Sequence, residues 1–382
     1  IMILKNNINK IFAINGIRWF MLLMPIIVLF FEESGLNLTQ ILILPAIYSF
    51  TIALLEIPSG FFSDSFGRKN SIILSTIFYS LGYLLFSFSS DYNVFIVAEI
   101  LLGIGGSLIS GTDSAILYDT LIELDDLNQY SKIEGKSYAI GNFSEAIAAI
   151  LSSFLVVISL YLPVYLHTLL LLLSIPIAFT LVEPKRSYKL SKSFSSLKLV
   201  FKQTFNFKNK LMWLIIYSSC IGLATLSVAW LVQPFLIEIN FPIVYYGLLW
   251  AALNFSSAFT SYFSYILKDV NIFFTVSIFL SFILLLVSFN ITNLGIILFF
   301  IIYFLRGIIT PYLKNHINII TSSEKRATVL SIRSLIIRLS FSVIIPILGY
   351  IAENYELKYV FLILSAIVLP LSLISSYKLS RD

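Results

Sequence analysis

The stretch IPSGFFSDSFGRKNS, residues 57–71, decides the fold of this chain. It places Asp64, Arg68 and Lys69 between two long apolar segments. Apolar segments of about 20 residues are long enough to cross a bilayer as helices, whereas charged residues are costly at membrane depth. The stretch is therefore interpreted as a short polar loop that joins two membrane-spanning helices.

The composition extends this interpretation to the whole chain. Of its 382 residues, 58% are hydrophobic and only 12% are charged, against about 25% charged in ordinary soluble domains. The apolar runs are longer than the alternating strands of about 10 residues that build outer-membrane barrels. With the single cysteine, Cys220, the chain has no disulfide framework. Without a His/Cys ligand cluster, no metal and no cofactor are predicted. The fold class expected is an all-α membrane protein.

Reading the apolar runs predicts twelve spans. The first of them is too long for a signal-peptide core and is expected to remain as a helix. The even number of spans puts both chain ends on the same side of the membrane. The predicted spans are residues 9–31, 39–60, 70–89, 93–117, 137–158, 162–182, 210–236, 243–266, 271–289, 293–315, 327–351 and 358–377.

The charges of the loops predict the orientation. Lysine and arginine fall almost entirely on the side of the two chain ends. The opposite side carries one lysine, Lys358, with Glu32, Glu33, Asp91, Glu238, Glu353 and Glu356. Because basic loops remain in the cytoplasm, we expect a multi-pass protein of the cytoplasmic (inner) membrane with cytoplasmic N- and C-termini.

One long basic connection divides the chain into two six-span halves. It predicts an N-terminal bundle over residues 1–183, a cytoplasmic linker over 184–209 and a C-terminal bundle over 210–382. The linker is expected to form an amphipathic helix on the anionic inner leaflet, with a regulatory role as the alternative. Paired six-span halves are typical of secondary transporters.

The opening stretch also carries a resemblance. Gly60, Asp64, Gly67, Arg68 and Lys69 match the pattern G-x-x-x-D-x-x-G-R-K. In the loop between spans 2 and 3 of a twelve-span chain, this pattern resembles the signature of the major facilitator superfamily. The resemblance implies two six-helix bundles that transport a solute by alternating access, with this loop acting as a gate rather than a substrate site.

The resemblance also implies partners for the loop. Asp64 would meet the start of span 11, near Ser323 to Thr328, and so lock the two halves on the cytoplasmic side. Arg68 would meet an acid near the end of span 4, where Asp113 and Asp119 are both available. The alternative is that Arg68 and Lys69 only set the topology of the chain.

Ionisable residues inside predicted spans are functional candidates, because charges at membrane depth are costly. Polar faces at helical spacing run through spans 4, 5, 10 and 11. Glu145 is the main candidate for proton coupling, with Glu99 beside it, because a carboxyl group in a dehydrated cavity can load and release a proton. The residues expected to line a central cavity are Arg18, Trp19, Asn142, Glu145, Arg306 and Arg338.

Two alternatives to these roles remain open. Glu145 could instead neutralise Arg18 or Arg338 in a buried pair that only fixes helix packing. His167 lies alone among apolar residues of span 6, and a histidine in that setting is more often a packing residue than a proton relay.

The excess of basic groups at membrane depth favours a substrate with carboxylate or phosphate groups.

Two departures from the resemblance limit the choice of substrate. Many members carry arginine in span 4, four residues before a glycine, where this chain has Glu99 before Gly103. Drug/proton antiporters often carry a Gly-Pro pair in span 5, and residues 137–158 contain no proline. These departures weaken an assignment as a multidrug antiporter.

The function expected is proton-coupled secondary transport of a small organic solute. A multidrug or lipid-like exporter of the same fold is the alternative. A passive channel or receptor is a further class, and a membrane enzyme is disfavoured because HExxH, GxSxG and a nucleotide-binding loop are absent from the sequence. The partners expected are the small-molecule substrate and the lipid bilayer, without nucleic acid, and the protein is expected to be a monomer.

Overall fold

The computed structural model describes residues 2–185, 210–264, 271–321 and 326–381. These residues form helices joined by short loops, and the described part contains no strand. The α-helices are α1 (Met2–Trp19), α2 (Ile27–Glu33), α3 (Leu38–Phe66), α4 (Arg68–Phe88), α5 (Tyr92–Ile109), α6 (Thr112–Glu123), α7 (Tyr130–Ile158), α8 (Leu162–Phe179), α9 (Lys210–Glu238), α10 (Tyr246–Phe263), α11 (Phe273–Phe289), α12 (Asn293–Ile320), α13 (Arg326–Asn354) and α14 (Leu357–Arg381).

These helices lie at the positions of the predicted spans among the described residues. Ten apolar helical segments have 18 or more residues and are long enough to cross a membrane, and α11 is a shorter apolar helix of 17 residues. α10, with 18 residues and no charged side chain, lies at the position of the remaining predicted span, residues 243–266. Two spans consist of two helices each, α1 with α2 and α5 with α6. The predicted all-α membrane fold is confirmed.

The chain forms two compact units. The first consists of Ile1–Leu36, Ile47–Ser191 and Pro242–Ala251, and the second of Asn37–Ala46, Lys192–Phe241 and Ala252–Asp382. The linker is predicted to form an amphipathic helix. Its residues from 186 to 209 lie outside the described part of the chain.

In the first unit, α4 and α5 pack closely because glycines face the partner helix. A Cβ atom on Gly82 would lie 2.7 Å from Leu102, and one on Gly105 would lie 3.0 Å from the Ser75 carbonyl oxygen. Near the loop that joins these two helices, four buried rings form an aromatic cluster: Phe30, Phe31, Phe86 and Phe95. The ring centroids of Phe31 and Phe95 lie 5.2 Å apart.

In the second unit, α11 packs against α14 along a face of small residues. Ser365 donates to the Ser281 carbonyl oxygen at 2.7 Å, and the hydroxyl groups of Ser277 and Ser376 lie 3.2 Å apart. Small residues allow close approach of helices in a membrane, and hydroxyl groups can bond across the contact. These contacts set the backbone positions of the second unit.

Candidate functional site

Two spans of the first unit are broken near their middles. Span 1 leaves the α-helix after Trp19 and resumes as a 3-10 turn, Met24–Ile26, which contains Pro25. Span 4 is interrupted between α5 and α6, where Gly111 has a φ of 74°. Discontinuous helices expose backbone groups at membrane depth, and in transporters such breaks often lie at binding sites.

An ion pair joins the two breaks. Arg18 Nη2 lies 3.6 Å from Asp113 Oδ2, and each side chain is less than one fifth exposed. Arg18 belongs to the last turn of α1 and Asp113 to the first turn of α6, so each charge also faces a favourable helix dipole. The arrangement stabilises both helix ends at the point where the helices stop.

Trp19, the aromatic neighbour of Arg18, packs beside this ion pair. The guanidinium carbon lies 5.5 Å from the centre of the Trp19 ring, within cation–π range. The ring packs on α7, because a Cβ atom on Gly141 would lie 3.1 Å from Trp19. Asn142, expected to line a cavity, is exposed and donates to the Tyr138 carbonyl oxygen of its own helix at 3.1 Å.

The motif segment is not the predicted polar loop, because α3 continues to Phe66 and α4 begins at Arg68. The chain turns sharply at Gly67 alone, whose φ is 111°. This backbone conformation is available to glycine and strained for other residues. Arg68 Nε then lies 2.8 Å from Asp119 Oδ2, with both side chains largely buried. Of the two acids expected near Arg68, the structure therefore places Asp119 against it and Asp113 against Arg18.

Sequence reasoning missed Glu183, which closes this turn. Its two carboxylate oxygens accept hydrogen bonds from the backbone N–H groups of Arg68 and Lys69, at 2.9 and 2.7 Å. These N–H groups begin α4 and have no partner within the helix, so the carboxylate acts as a cap supplied by the chain after α8. The signal in the sequence was an acid directly after span 6.

The remaining motif residues differ in their surroundings. Gly60 lies inside α3, and no described atom would contact a Cβ atom there within 4 Å. Gly60 is therefore not required there for close packing of helices. Asp64 is exposed. Its expected partners at Ser323 to Lys325 lie outside the described residues.

Glu145 lies in the middle of α7 and is partly buried. Its Oε1 accepts a hydrogen bond from Trp250 Nε1 at 3.2 Å, within the first unit. The segment that carries Trp250 is held tightly on α7, because the Leu248 N–H donates to Ser153 Oγ at 3.0 Å and Gly247 meets the Ala149 backbone. Glu145 is therefore held by an uncharged hydrogen-bond donor, Trp250, whose segment packs tightly against α7.

The second unit carries basic side chains at membrane depth. Arg306 lies 5.5 Å from the centre of the Tyr303 ring, and Arg333 donates to Ser218 Oγ. Arg338 is partly buried in the middle of α13. Among the described residues, none of these three arginines is within 4 Å of a carboxylate.

The other acidic candidate, Glu99, is buried in the first unit with a side chain only 4% exposed. The part of α5 that carries it packs on α4 beside Tyr83, because a Cβ atom on Gly82 would lie 3.1 Å from the Ala98 carbonyl oxygen. The Tyr83 ring in turn lies 4.2 Å from the ring of His167, which is 1% exposed. His167 thus packs against an aromatic ring beside a buried carboxyl group rather than among aliphatic residues alone.

Comparison with known proteins identifies the family. The model of the Major Facilitator Superfamily matches residues 11–311. The chain belongs to the Major Facilitator Superfamily. The expected resemblance is confirmed, and membership identifies a membrane transporter rather than an enzyme.

A curated relative agrees with this assignment. YxaM of Bacillus subtilis (strain 168), an uncharacterized MFS-type transporter, is 27% identical over 241 residues. The match covers 61% of this chain and 59% of the relative, so the chain matches less than two thirds of that protein's length.

Solved structures share the fold of this superfamily member at low identity. A point mutant of the nucleoside transporter NupG has a TM-score of 0.82 at 13% identity, covering 98% of this chain and 99% of that one. A bacterial homolog of the human lysosomal transporter Spinster, in an inward-facing and occupied conformation, has a TM-score of 0.73 at 14% identity, covering 98% and 96%. These likenesses show the fold alone.

Proposed function

We propose that this protein is a proton-coupled secondary transporter that moves a small organic solute across the cytoplasmic membrane by alternating access. It acts as a monomer with both termini in the cytoplasm. The gradient of protons supplies the driving force, and no cofactor takes part. The proposal rests on family membership together with the ionisable residues at membrane depth.

The observation that carries proton coupling is the contact between Glu145 and Trp250. The indole N–H is a neutral donor, and it is 3.2 Å from one carboxylate oxygen. A carboxyl group can keep this hydrogen bond when a proton binds to its other oxygen. Glu145 can therefore change its charge without breaking the contact that positions it.

The basic residues of the second unit favour a substrate with carboxylate or phosphate groups. Guanidinium groups bind both anions through paired N–H donors. Arg306, Arg333 and Arg338 lie at membrane depth, where an unneutralised charge is costly. An anionic substrate would reduce this cost on binding.

The first step of the test is to find a substrate. A metabolite panel that contains carboxylates, phosphates and nucleosides is screened for thermal stabilisation of the purified protein, since a ligand of the folded state raises the melting temperature. Nucleosides are included because NupG shares the fold. Hits are then tested for uptake into proteoliposomes with and without a pH gradient.

The Glu145→Gln variant separates coupling from binding. We expect it to lose accumulation driven by a pH gradient while it retains exchange of labelled for unlabelled substrate. Glu33→Gln, an exposed residue at the end of α2, serves as the control and is expected to accumulate substrate like the wild type. Accumulation by Glu145→Gln at the wild-type level would refute its role.

A second candidate is export of multidrug or lipid-like substrates. One observation favours it: Phe255, Phe259 and Phe263 of α10 form a ladder of rings that are 72%, 56% and 42% exposed. Aromatic faces bind apolar and cationic ligands. Resistance to several hydrophobic cations on expression, lost on replacing Phe255 and Phe259 with alanine, would support this candidate.

A further inference from the structure

Buried polar side chains form a row through the interior of the first unit. At one end, Glu99, Tyr83 and His167 lie on α5, α4 and α8, each about 8–10 Å from the end of its helix at 1.5 Å per residue. The aromatic cluster borders this group, because the Tyr83 and Phe86 rings lie 5.6 Å apart. The group is therefore separated from the loop between α4 and α5.

The row continues along α4 to Tyr79, one turn from Tyr83. Tyr79 and Tyr83 are four residues apart and share one face of α4. The Tyr79 hydroxyl lies 3.4 Å from that of Tyr48 on α3. Tyr79 also lines a small, partly open cavity of about 10 Å³, roughly the volume that one water molecule needs. Its polar lining consists of Arg18, Ser75, Thr76, Tyr79 and Ser174.

The far end of the row is the ion pair at the two helix breaks. Arg18 lines the cavity and contacts Asp113. Both ring nitrogens of His167, at the near end, are buried with no hydrogen-bond partner among the described residues. Burying a polar group without a partner is costly, so such a group in a folded protein often has a functional role.

We propose that Glu99, Tyr83 and His167 form a proton-binding site inside the N-terminal bundle, linked through Tyr79 and the small cavity that Arg18 also lines to the Arg18–Asp113 pair. The Glu99 carboxylate accepts the proton as an O–H bond, and the proton leaves along the row toward Asp113. The titratable groups of the site itself are Glu99 of α5, Tyr83 of α4 and His167 of α8. Tyr79, Tyr48 and Arg18 lie farther along the row. The inference rests on the proposed proton coupling and names a second site for it, distinct from Glu145.

Infrared spectroscopy of the purified full-length protein tests the site without a substrate. A protonated carboxyl group has a carbonyl band that disappears on deprotonation. We expect the wild type to show such a band, and we expect Glu99→Gln to lack it. Glu33→Gln, the exposed control, should retain it. Persistence of the band in Glu99→Gln would overturn the proposal.

Further variants test the neighbours and the path. Glu99→Asp keeps a carboxyl group if Glu99→Gln fails to fold, and its band should titrate with a displaced midpoint. His167→Phe should shift the midpoint of the wild-type band by about one pH unit. Tyr79→Phe should slow the appearance of the band after a pH jump by an order of magnitude or more, whereas the exposed Tyr138→Phe should not. Unchanged midpoint and rate would overturn the link.

Other outcomes separate this inference from the proposed function. Dependence of the band on sodium ions would assign the site to a metal cation and overturn proton binding there. Loss of gradient-driven accumulation in Glu145→Gln with no Glu99 band would leave the proposed function standing and refute this inference. A Glu99 band together with wild-type accumulation by Glu145→Gln would support this inference and refute the role of Glu145.

Discussion

Arg68 and Lys69 are adjacent basic residues with different surroundings, which makes them a matched pair. Arg68 faces Asp119 at 2.8 Å, and both side chains are less than one fifth exposed. No acidic side chain among the described residues forms an ion pair with the Lys69 ammonium group. If both residues only set the topology, their loss should have equal effects. If Arg68 holds α4 to α6, its loss should have the larger effect.

We therefore predict that Arg68→Ala lowers the free energy of unfolding by about 2 kcal/mol, because it leaves the Asp119 carboxylate partly buried without its ion-pair partner. Lys69→Ala should change it by less than about 0.5 kcal/mol. Arg68→Lys should fall between them, since lysine keeps the charge and loses the planar fork. Melting temperatures in detergent measure all three, and equal losses at both positions would favour the topology alternative.

Exchanging the two charges gives a second test of the Arg68–Asp119 pair. Arg68→Asp and Asp119→Arg should each destabilise the protein, and the double variant should recover part of the loss, because the pair is restored with reversed polarity. A double-mutant cycle then isolates the coupling between the two side chains. A coupling near zero would show that the two charges act independently.

Glycines set the spacing of helices in both units. Gly307 follows Arg306 on α12, and a Cβ atom there would overlap the Ser257 carbonyl oxygen and the Thr260 hydroxyl of α10. Thr260 also donates to the Phe304 carbonyl oxygen at 3.0 Å. The two helices therefore cross in backbone contact beside a candidate substrate residue.

We expect Gly307→Ala to lower the free energy of unfolding by about 2 kcal/mol, since the backbone of α10 must move away. Gly135 of α7 is the matched control, because a Cβ atom there meets no described atom within 4 Å. Gly135→Ala should stabilise its helix by up to about 1 kcal/mol. Equal melting temperatures for the two variants would contradict the close contact.

The breaks in spans 1 and 4 show what the sequence could not predict at the scale of an element. Residues 9–31 and 93–117 are predominantly apolar despite a few polar and charged residues, so hydropathy predicts one continuous helix for each. Pro25 and Gly111 mark the breaks, yet proline and glycine are tolerated within membrane helices. The polar face of span 4 was visible from helical spacing, whereas its contact with α1 depends on the break.

At the scale of the molecule, the number of spans was predictable because charges and apolar runs alternate along the whole chain. Contacts between side chains that are distant in the sequence were not predictable. Glu183 contacts backbone groups 114 and 115 residues away, and Glu145 meets Trp250 at a separation of 105. The residue types suggested that Arg68 needs an acid, but only the fold decides between Asp113 and Asp119.

The orientation of the molecule remains a prediction that labelling can test. Basic loops remain in the cytoplasm because moving lysine and arginine across the membrane is unfavourable. Ser193 lies in the basic linker and Ser90 in the short loop next to Asp91. With the single native cysteine removed by Cys220→Ser, Ser90→Cys should react with an impermeant maleimide added outside intact cells. Ser193→Cys should react only after the membrane is opened. The reverse pattern would place the N- and C-termini outside and contradict the distribution of charge on which the span assignment depends.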